Sequence, residues 1–319
     1  MFCRPGDRIL EVGAKLSDVS RDIVNICMPA GEAVLVDVEL NRSSKSGRTG
    51  HRDIQAFQSL PQVTLVDLPS LDNWKDTIFQ SSERTYDVVC LDLGHMVGND
   101  LYLTTLNMAQ ELLSAASKTR VILVKSKALA TLTRRLVSSQ QLVQRDRVLP
   151  RNAPPTTEPN IITSVGVKEY RQAIPFTVEQ GDFVLEVGCH FGRSTVLLHE
   201  AAQEEGCCIG VDIGPKIIES AKEQNPGIEF FVGDAWKTLD LLRLRQDGQL
   251  GFDVVYADIG GLSGAYGTLE SLTLIDSLSK ALEPRHIVIK SLCMKRLNSQ
   301  LKSFREIWTK THPRDEVGR

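Results

Sequence analysis

The chain has 319 residues, more than a single domain usually holds, so two domains are expected. Its net charge of -3 argues against a chain-wide attraction to nucleic acid or to an anionic membrane, and no apolar run approaches the roughly 20 residues that cross a bilayer. Hydrophobic residues make up 42% and charged residues 24%, and the seven cysteines lack metal-binding spacing, so we expect a cytoplasmic globular protein without a metal site and without membrane contact.

The N-terminal half alternates short apolar runs with amphipathic helical sequence. The apolar runs predict strands at Arg8–Val12, Ala33–Asp37, Val63–Val66, Val88–Asp92 and Val121–Val124. A helix is predicted over Leu101–Ala116. The polar segment between Asp37 and Val63 is unlike a regular strand–helix unit and is expected to be a loop.

The C-terminal half repeats this alternation. Its apolar runs predict strands at Phe183–Val187, Cys208–Asp212, Glu229–Val232, Val254–Asp258 and Ile287–Lys290. Helices are predicted at Ser194–Ala202, Pro215–Gln224 and Thr268–Leu282. Strands that alternate with helices in this way indicate parallel pairing with right-handed crossovers and helices on both faces of a sheet.

We therefore expect an α/β fold with two tandem, doubly wound, mostly parallel Rossmann-like sheets. A polar stretch with three prolines separates the two halves. It places a first domain at 1–150, a Pro-rich linker at 151–160 and a second domain at 161–319.

The two halves also repeat each other in sequence. The residues that end the strands of the first half recur in the same order in the second: Gly13, Asp37, Asp92 and Lys125 correspond to Gly188, Asp212, Asp258 and Lys290. Four matches in order predict a tandem duplication of one domain. The same comparison shows a difference, because Ser17 stands in the first half where the second half has Gly192.

The segment Val184–Gly192, with Asp212 downstream, has the pattern strand, glycine turn, helix, strand, acid. This pattern is typical of a nucleotide-binding unit, in which glycines allow the backbone to approach the ligand. Nicotinamide-dependent enzymes carry G-x-G-x-x-G, whereas Gly188 and Gly192 are four residues apart. A ligand without a diphosphate is therefore favoured, and a nicotinamide enzyme is a less favoured alternative.

Four motifs in the second half occur together in one known family. They are Glu186-x-Gly188-x-x-x-Gly192, Asp212, Gly233-Asp234-Ala235-Trp236 and Phe252-Asp253-Val254-Val255-Tyr256-Ala257-Asp258. In their order and spacing, residues Tyr170–Leu297 resemble a class I S-adenosylmethionine-dependent methyltransferase. The resemblance implies S-adenosylmethionine as the cofactor and a methyltransferase-type fold.

The resemblance also implies roles for residues of the glycine loop. Gly188 and Gly192 would let this loop pass under the methionine part of the cofactor. Glu186 would lie below, where it would order water or the amino group. Both Glu186 and Gly188 have an alternative interpretation as ordinary residues at the end of a strand.

Three further residues are implied in binding the adenosine part. Asp212 would accept hydrogen bonds from both ribose hydroxyls. Asp234 would accept from the adenine amino group, or would instead be the N-cap of a helix over Ala235–Leu242. Trp236 would pack against the adenine or lie in the core.

Asp258 and Lys290 end neighbouring predicted strands, and we take them as the catalytic residues. The pair resembles part of the Lys–Asp–Lys–Glu set of RNA ribose 2′-O-methyltransferases. In that set the second lysine removes or disperses the hydroxyl proton, and the aspartate holds it in place. Lys168 is a candidate for the first lysine of that set, and Glu306 is a poorly spaced candidate for the glutamate. The alternative is a structural ion pair.

The N-terminal half is expected to have lost cofactor binding, because the Cβ of Ser17 would crowd a ligand. We predict a degenerate domain that packs on the second half or helps to bind substrate. The sequence thus predicts a methyltransferase with its active site in the C-terminal half. RNA is the preferred substrate, and a small molecule or a protein side chain is close behind. A non-catalytic scaffold protein is the alternative from another class.

Overall fold

The computed structural model describes residues 2–14, 16, 18–37, 50–68, 74–78, 85–93, 102–115, 118–145, 158–203, 205–244, 251–264, 267–304 and 307. The chain divides into two compact units, Met1–Ala130 and Thr131–Arg319. This division falls before the predicted domain boundary at residue 150. Most of the predicted linker, residues 151–157, lies outside the described residues.

The first unit is built on a five-stranded parallel sheet with the strand order β3-β2-β1-β4-β5. Its strands are β1 (Arg8–Val12), β2 (Glu32–Asp37), β3 (Val63–Asp67), β4 (Val88–Leu91) and β5 (Val121–Val124). The central strand β1 is buried from its second residue onward, which explains its continuous apolar run. Two apolar clusters, one around Leu10 and Val89 and one around Leu35 and Phe57, form its core.

The second unit is built on a seven-stranded sheet with the order β10-β9-β8-β11-β12-β7-β6. Its strands are β6 (Leu136–Ser138), β7 (Asn160–Ser164), β8 (Phe183–Val187), β9 (Cys207–Asp212), β10 (Glu229–Val232), β11 (Val254–Ala257) and β12 (His286–Lys290). Every strand pair in this sheet is parallel. Two separate, parallel Rossmann-like sheets confirm the predicted fold class.

Strands β6 and β7 were not predicted. Both precede the central strand β8 in the chain, yet they extend the sheet beyond β12, its last predicted strand. Strand β7 pairs with β12 along its whole length, from Asn160 opposite His286 to Ser164 opposite Lys290. Strand β6 then pairs with β7, so residues that the sequence assigned to the first domain belong to the second sheet.

Helices follow most strands, as a doubly wound sheet requires. In the first unit they are α1 (Asp18–Cys27), α2 (Gly50–Gln58), α3 (Trp74–Ile78), α4 (Tyr102–Ala115) and the start of α5 (Lys127–Arg135). In the second they are α6 (Ser139–Arg145), α7 (Val167–Gln172), α8 (Ile174–Thr177), α9 (Arg193–Ala202), α10 (Pro215–Gln224), α11 (Thr238–Leu242), α12 (Gly267–Leu282) and α13 (Leu292–Gln300). Helix α2 lies in the polar segment that was expected to be a loop, so that expectation was wrong.

Strands β1 and β8 each lie inside a sheet between two neighbours that run in the same direction. The carboxyl ends of parallel strands meet at one edge, and this edge is where open α/β sheets bind their ligands. In the second unit, the register pairs Val187 with Val211 of β9 and with Ala257 of β11. The residues after these three positions therefore lie side by side at the carboxyl edge.

The opposite edge of the second sheet is fixed by an ion pair between Asp182 and Arg285. Asp182 is 1% exposed, and its Oδ1 accepts a hydrogen bond from Arg285 Nη1 at 2.9 Å, while its Oδ2 contacts Nη2. The same carboxylate accepts from the backbone amide of Glu179 at 2.7 Å. This interaction ties the entry into β8 to the entry into β12.

Removal of this ion pair should destabilise the second unit. We expect Asp182→Ala to lower the free energy of unfolding by about 3 kcal/mol, because it leaves the Glu179 amide without this acceptor and a largely buried guanidinium with only its longer contacts to Asp253 and Thr177 O. Asp276→Ala is the matched control, since its ion pair with Lys280 is exposed within one helix and should be worth less than about 0.5 kcal/mol. Urea unfolding of both variants measures the difference, and equal losses would contradict the assignment.

Candidate functional site

The carboxyl edge of the second sheet brings together the predicted residues that follow β8, β9 and β11. Gly188 follows β8, Asp212 ends β9, and Asp258 follows β11. The backbone amide of Gly188 donates to Val211 O at 2.8 Å, and that of Asp258 donates to Val187 O at 2.9 Å. The sheet therefore continues by one hydrogen bond on each side of β8 into the two loops of the site.

Gly188 is the point at which these two loops touch. Its φ is +82°, and a Cβ atom built on it would lie 2.0 Å from the carbonyl oxygen of Asp258. No side chain fits between two backbones at that distance, and the left-handed φ favours glycine independently. The glycine at position 188 is therefore required by the approach of the Asp258 backbone.

Gly192 is required by a different neighbour. Its φ is +78°, and an added Cβ would lie 2.5 Å from the ring of Phe230 and 3.0 Å from Asn225 Nδ2. A Cβ on Gly210 of β9 would also lie 2.5 Å from the same ring. Two glycines thus make room for one phenylalanine. A role of Gly192 under the methionine part of a cofactor stays a prediction.

Glu186 lies inside the unit, two residues before Gly188. It is 2% exposed, and both carboxylate oxygens accept hydrogen bonds from hydroxyl groups, Oε1 from Tyr170 at 3.3 Å and Oε2 from Thr195 at 2.6 Å. Burial raises the pKa of Glu186 to about 8, although these two hydrogen bonds oppose the rise. The side chain links the glycine loop to α7 and α9, and its predicted action on water or an amino group stays a prediction.

Asp212 holds the backbone on both sides of the expected ribose position. Its Oδ2 accepts from the amide of His190 at 3.1 Å, and its Oδ1 accepts from the amide of Gly214 at 3.0 Å. Each carboxylate oxygen has a second lone pair, so two hydroxyl donors of a ribose can still be accepted. The arrangement suits the predicted role and shows in addition that Asp212 shapes the loop.

Asp234 and Trp236 lie in the turn after β10. Asp234 Oδ1 accepts from the amide of Trp236 at 3.0 Å. Helix α11 starts only at Thr238 with Lys237 as its N-cap, so the alternative of Asp234 as the cap of a helix from Ala235 was wrong. Trp236 is 45% exposed, which also rules out the alternative of a core residue.

Ile213 was missed in the sequence, although it directly follows the strand-end acid Asp212. It is 71% exposed, and Val232 at the end of β10 is 55% exposed. In the second sheet Asp212 pairs with Val232, so the two apolar side chains lie near the same strand ends. An exposed isoleucine beside Asp212 gives an adenine ring an apolar surface to contact.

The two predicted catalytic residues are in direct contact. Lys290 Nζ lies 2.5 Å from Asp258 Oδ2, and each side chain is about one quarter exposed, 26% and 25% respectively. Lys168, the candidate for a third member of the set, is exposed on α7, and Glu306 lies outside the described residues. The structure therefore brings together two members of the four.

The loop after Asp258 contains Gly260, Gly261 and Gly264. Its centre is anchored despite these glycines, because Leu262 is 1% exposed and its carbonyl oxygen accepts from Ser291 Oγ at 2.6 Å. Ser263 Oγ accepts from the amide of Leu292 at 3.0 Å. Gly260 and Gly261 are exposed between Asp258 and this anchor, and a Cβ on Gly260 would meet no atom within 4 Å.

The described part of the chain holds no group of three or more histidine, cysteine, aspartate or glutamate residues placed to bind a metal ion. Among the same residues, no helix combines the length and the apolar character needed to cross a membrane.

A model of the methyltransferase-domain family matches residues 184–284. The match begins in β8 and ends just after α12, and it contains the glycine loop, Asp212, Asp234 and Asp258. The matched part of the second unit is therefore a methyltransferase domain. A comparison with curated protein sequences finds no significant match.

Solved structures of methyltransferases are similar to parts of the chain. A TehB-like S-adenosylmethionine-dependent methyltransferase from Corynebacterium glutamicum is 22% identical, with a TM-score of 0.28 over 47% of this chain and 71% of that one. A second, from Mesorhizobium loti, is 26% identical, with a TM-score of 0.23 over 32% of this chain and 42% of that one. A cofactor-bound amino pentose methyltransferase from Micromonospora echinaspora is 20% identical, with a TM-score of 0.25 over 36% of this chain and 42% of that one. The chain thus spans under half the length of the last two.

S-adenosylmethionine is the cofactor of this class, and the residues of the methyltransferase domain fit it. The backbone at Gly188 leaves no side chain over the loop, which a cofactor lying on that loop requires. Asp212 supplies two acceptor oxygens, and the exposed side chains of Ile213 and Trp236 supply apolar surface. The ribose hydroxyls and the adenine ring of the cofactor therefore each have a chemical counterpart at this edge.

The raised pKa of Glu186 predicts how stability depends on pH. The folded domain holds this proton up to about pH 8, whereas the unfolded chain releases it near the ordinary glutamate pKa of 4.5. The stabilising contribution is therefore complete below the unfolded pKa and is lost as the pH rises through the folded one. Between pH 6 and pH 9 we expect the unfolding free energy of the wild type to fall by about 2 kcal/mol more than that of Glu186→Gln.

Urea titrations at several pH values measure this difference. Glu229→Gln, at an exposed position that begins β10, is the control and should follow the wild-type profile. Parallel profiles for the wild type and Glu186→Gln would show that Glu186 does not bind its proton more tightly in the folded state.

The contact between Gly192 and Phe230 predicts a compensating pair of substitutions. Gly192→Ala should cost about 2–3 kcal/mol, because the new methyl group overlaps the ring and the residue has a left-handed φ. In the presence of Phe230→Leu, the same change should cost about 1 kcal/mol less, since leucine does not reach the position of the ring. A double-mutant cycle by urea unfolding tests this, and additive effects would contradict the steric explanation.

Proposed function

We propose that the methyltransferase domain has its active site at the carboxyl edge of the second sheet and that it methylates a ribose 2′-hydroxyl of RNA. The observation that supports this most directly is the contact of Lys290 Nζ with Asp258 Oδ2 at 2.5 Å. It places an acid and an ammonium group beside the loop on which Gly188 meets Asp258. The cofactor loop and the proposed acceptor site therefore share one backbone contact.

In this proposal the cofactor lies across the ends of β8, β9 and β10. Asp212 accepts from the ribose hydroxyls, and Asp234 accepts from the adenine amino group. Ile213 and Trp236 contact the adenine faces or edges. Because Gly188 has no side chain, the methionine part can pass close to the loop towards Asp258.

When bound, S-adenosylmethionine would supply a methyl group on a positively charged sulfur for transfer to the acceptor oxygen, with the thioether as the leaving group. The protein mainly has to hold the two reactants in line. Asp258 Oδ1 accepts the hydrogen bond of the acceptor hydroxyl and takes its proton, which becomes strongly acidic as the new bond forms. Lys290 holds Asp258 Oδ2 and stabilises the carboxylate before transfer.

The preference for a hydroxyl on RNA comes from the pair of residues and from the space beside it. A lysine and an aspartate at these strand ends resemble the ribose 2′-O enzymes. Gly260 and Gly261 are exposed next to Asp258, so a bulky acceptor can approach the carboxylate closely. The opposing interpretation, a structural ion pair, is favoured by Lys125 Nζ and Asp92 Oδ2, which lie 2.7 Å apart in the first unit.

Transfer of labelled methyl groups to the RNA, protein and small-molecule fractions of a cell extract tests this proposal. We expect label in RNA, and we expect Asp258→Asn and Lys290→Met each to lower the rate about 100-fold. Affinity for S-adenosylmethionine, measured by calorimetry, should change less than about threefold in these two variants, because the altered side chains contact each other, and Asp258 meets Gly188 only through its backbone. Asp276→Asn removes an exposed aspartate–lysine pair and serves as the matched control.

Asp212→Asn tests the location of the cofactor. It should weaken S-adenosylmethionine binding at this edge about 10- to 100-fold, the value of a lost charge-assisted hydrogen bond.

Label in protein or small molecules but not in RNA would overturn the RNA proposal. Full activity of Asp258→Asn would assign the pair a structural role only.

A further inference from the structure

The first unit repeats the local geometry of the cofactor edge in detail. Around its central strand β1, the amides of Gly13 and Ala14 donate to Val36 O at 2.8 and 3.0 Å. In the second unit, the amides of the two residues that follow β8 donate to one carbonyl oxygen of β9 at 2.8 and 3.1 Å. Gly13 has a φ of +84°, against +82° for the glycine at the same place in the second unit. The backbone that carries the first glycine is thus the same in both units.

Ser17 was taken as the sign that the first unit has lost its ligand. In the second unit, however, the glycine at that place is required by Phe230. The strand registers put Leu65 of β3 where Phe230 lies in β10, and Leu35 of β2 where Gly210 lies in β9. Two leucines therefore stand where the second unit has Phe230 and Gly210, so the ring contact that requires glycine at position 192 has no counterpart at these positions of the first unit. Ser17 is no longer evidence against a ligand.

Glu11 is the first unit's counterpart of the buried glutamate of β8. It is 7% exposed, and its Oε1 accepts from Ser20 Oγ at 3.2 Å, as Glu186 Oε2 accepts from Thr195. The second oxygen, Oε2, is buried without a hydrogen-bond donor among the described residues. A buried acceptor without a donor is costly, so this oxygen is a position where a ligand or a water molecule would be stabilised.

The surroundings of Glu11 are acidic. Burial raises its pKa to about 7, the hydrogen bond from Ser20 opposes the rise, and the charges of Asp92 and Asp37 add to it. Lys125 contacts Asp92 and compensates one of these charges. A ligand that brings hydroxyl donors together with positive charge therefore suits this edge better than an anion does.

We propose that the carboxyl edge of the first sheet is a second binding site for a nucleoside of the S-adenosylmethionine type, built on Glu11, Gly13 and Asp37. The choice of ligand rests on the proposed function of the second unit, because the equivalence with Asp212 assigns the ribose to Asp37. Glu11 Oε2 accepts from the ligand's ammonium group or from a water molecule bound to it. Pro69 occupies the sequence position of Asp234, so the adenine amino group lacks its acceptor and the site binds more weakly than that of the second unit.

Equilibrium dialysis of the full chain with labelled S-adenosylmethionine tests the proposal. The wild type should bind two equivalents with affinities that differ at least about tenfold. In Asp212→Asn the tighter equivalent should be weakened, and the weaker one should be unchanged. Glu11→Gln and Asp37→Asn should each lower the affinity of the weaker equivalent at least about tenfold. The affinity of the tighter equivalent should not change in these two variants.

Glu32→Gln is the matched control, since Glu32 is an exposed glutamate at the other end of β2 and should leave both equivalents intact. Circular dichroism of each variant shows that the first unit is folded, and Asp37→Asn serves if Glu11→Gln is not. Ultraviolet cross-linking of the labelled ligand to the wild type, followed by peptide mapping, should give labelled peptides from both units.

The outcomes separate this proposal from the proposed function. A single equivalent that Asp212→Asn removes, with label only in peptides of the second unit, would overturn the second site and leave the proposed active site in place. A single equivalent that survives Asp212→Asn but not Asp37→Asn would support the site in the first unit and overturn the placement of the active site. Two bound equivalents whose affinities are both unchanged in Glu11→Gln and in Asp37→Asn would overturn the assignment of these residues to the site.

Discussion

The approach of two backbones at Gly188 is the constraint on which the site of the second unit depends. A Cβ atom at this position would overlap the carbonyl oxygen of Asp258, so only glycine allows the loops after β8 and β11 to meet. Asp212 fixes the other side of the same loop through the amide of His190. The positions proposed for the cofactor groups and for the acceptor group therefore follow from one stretch of backbone, and side chains add chemistry to a geometry already determined.

The sequence predicted most of the fold because buried parallel strands are continuous apolar runs, and every predicted strand is present. It did not predict β6 and β7, because β6 has only three residues and β7 directly follows the proline-rich stretch that predicts a linker. Of the site, the strand-end residues could be predicted from their order. The packing of Gly192 on Phe230 could not, because it depends on the register of β10 against β9, which brings together residues far apart in the chain. The tandem duplication stays a prediction, because the strand order that the two sheets share is typical of their fold and does not require a duplication.

The comparison of Glu186 with Glu11 shows how one position can serve two purposes. In the second unit, hydroxyl groups of Tyr170 and Thr195 engage both oxygens, so the glutamate is part of the support for the loop. In the first unit, Ser20 engages one oxygen, and the other has no donor among the described residues. The hydroxyl groups around the buried carboxylate thus differ between the two units, and this difference supports the proposal that Glu186 acts as support and Glu11 as a binding group.

Strands β6 and β7 have a consequence for any attempt to study the methyltransferase domain alone. They come from residues ahead of β8, and β6 supplies the hydrogen-bonding partners of one side of β7. A fragment that starts at residue 161 would lose β6 and the first residue of β7, and it would leave a buried strand as an unpaired sheet edge. Such edges invite association with other chains. The smallest self-contained piece therefore starts near Thr131, and it includes residues that the family match does not reach.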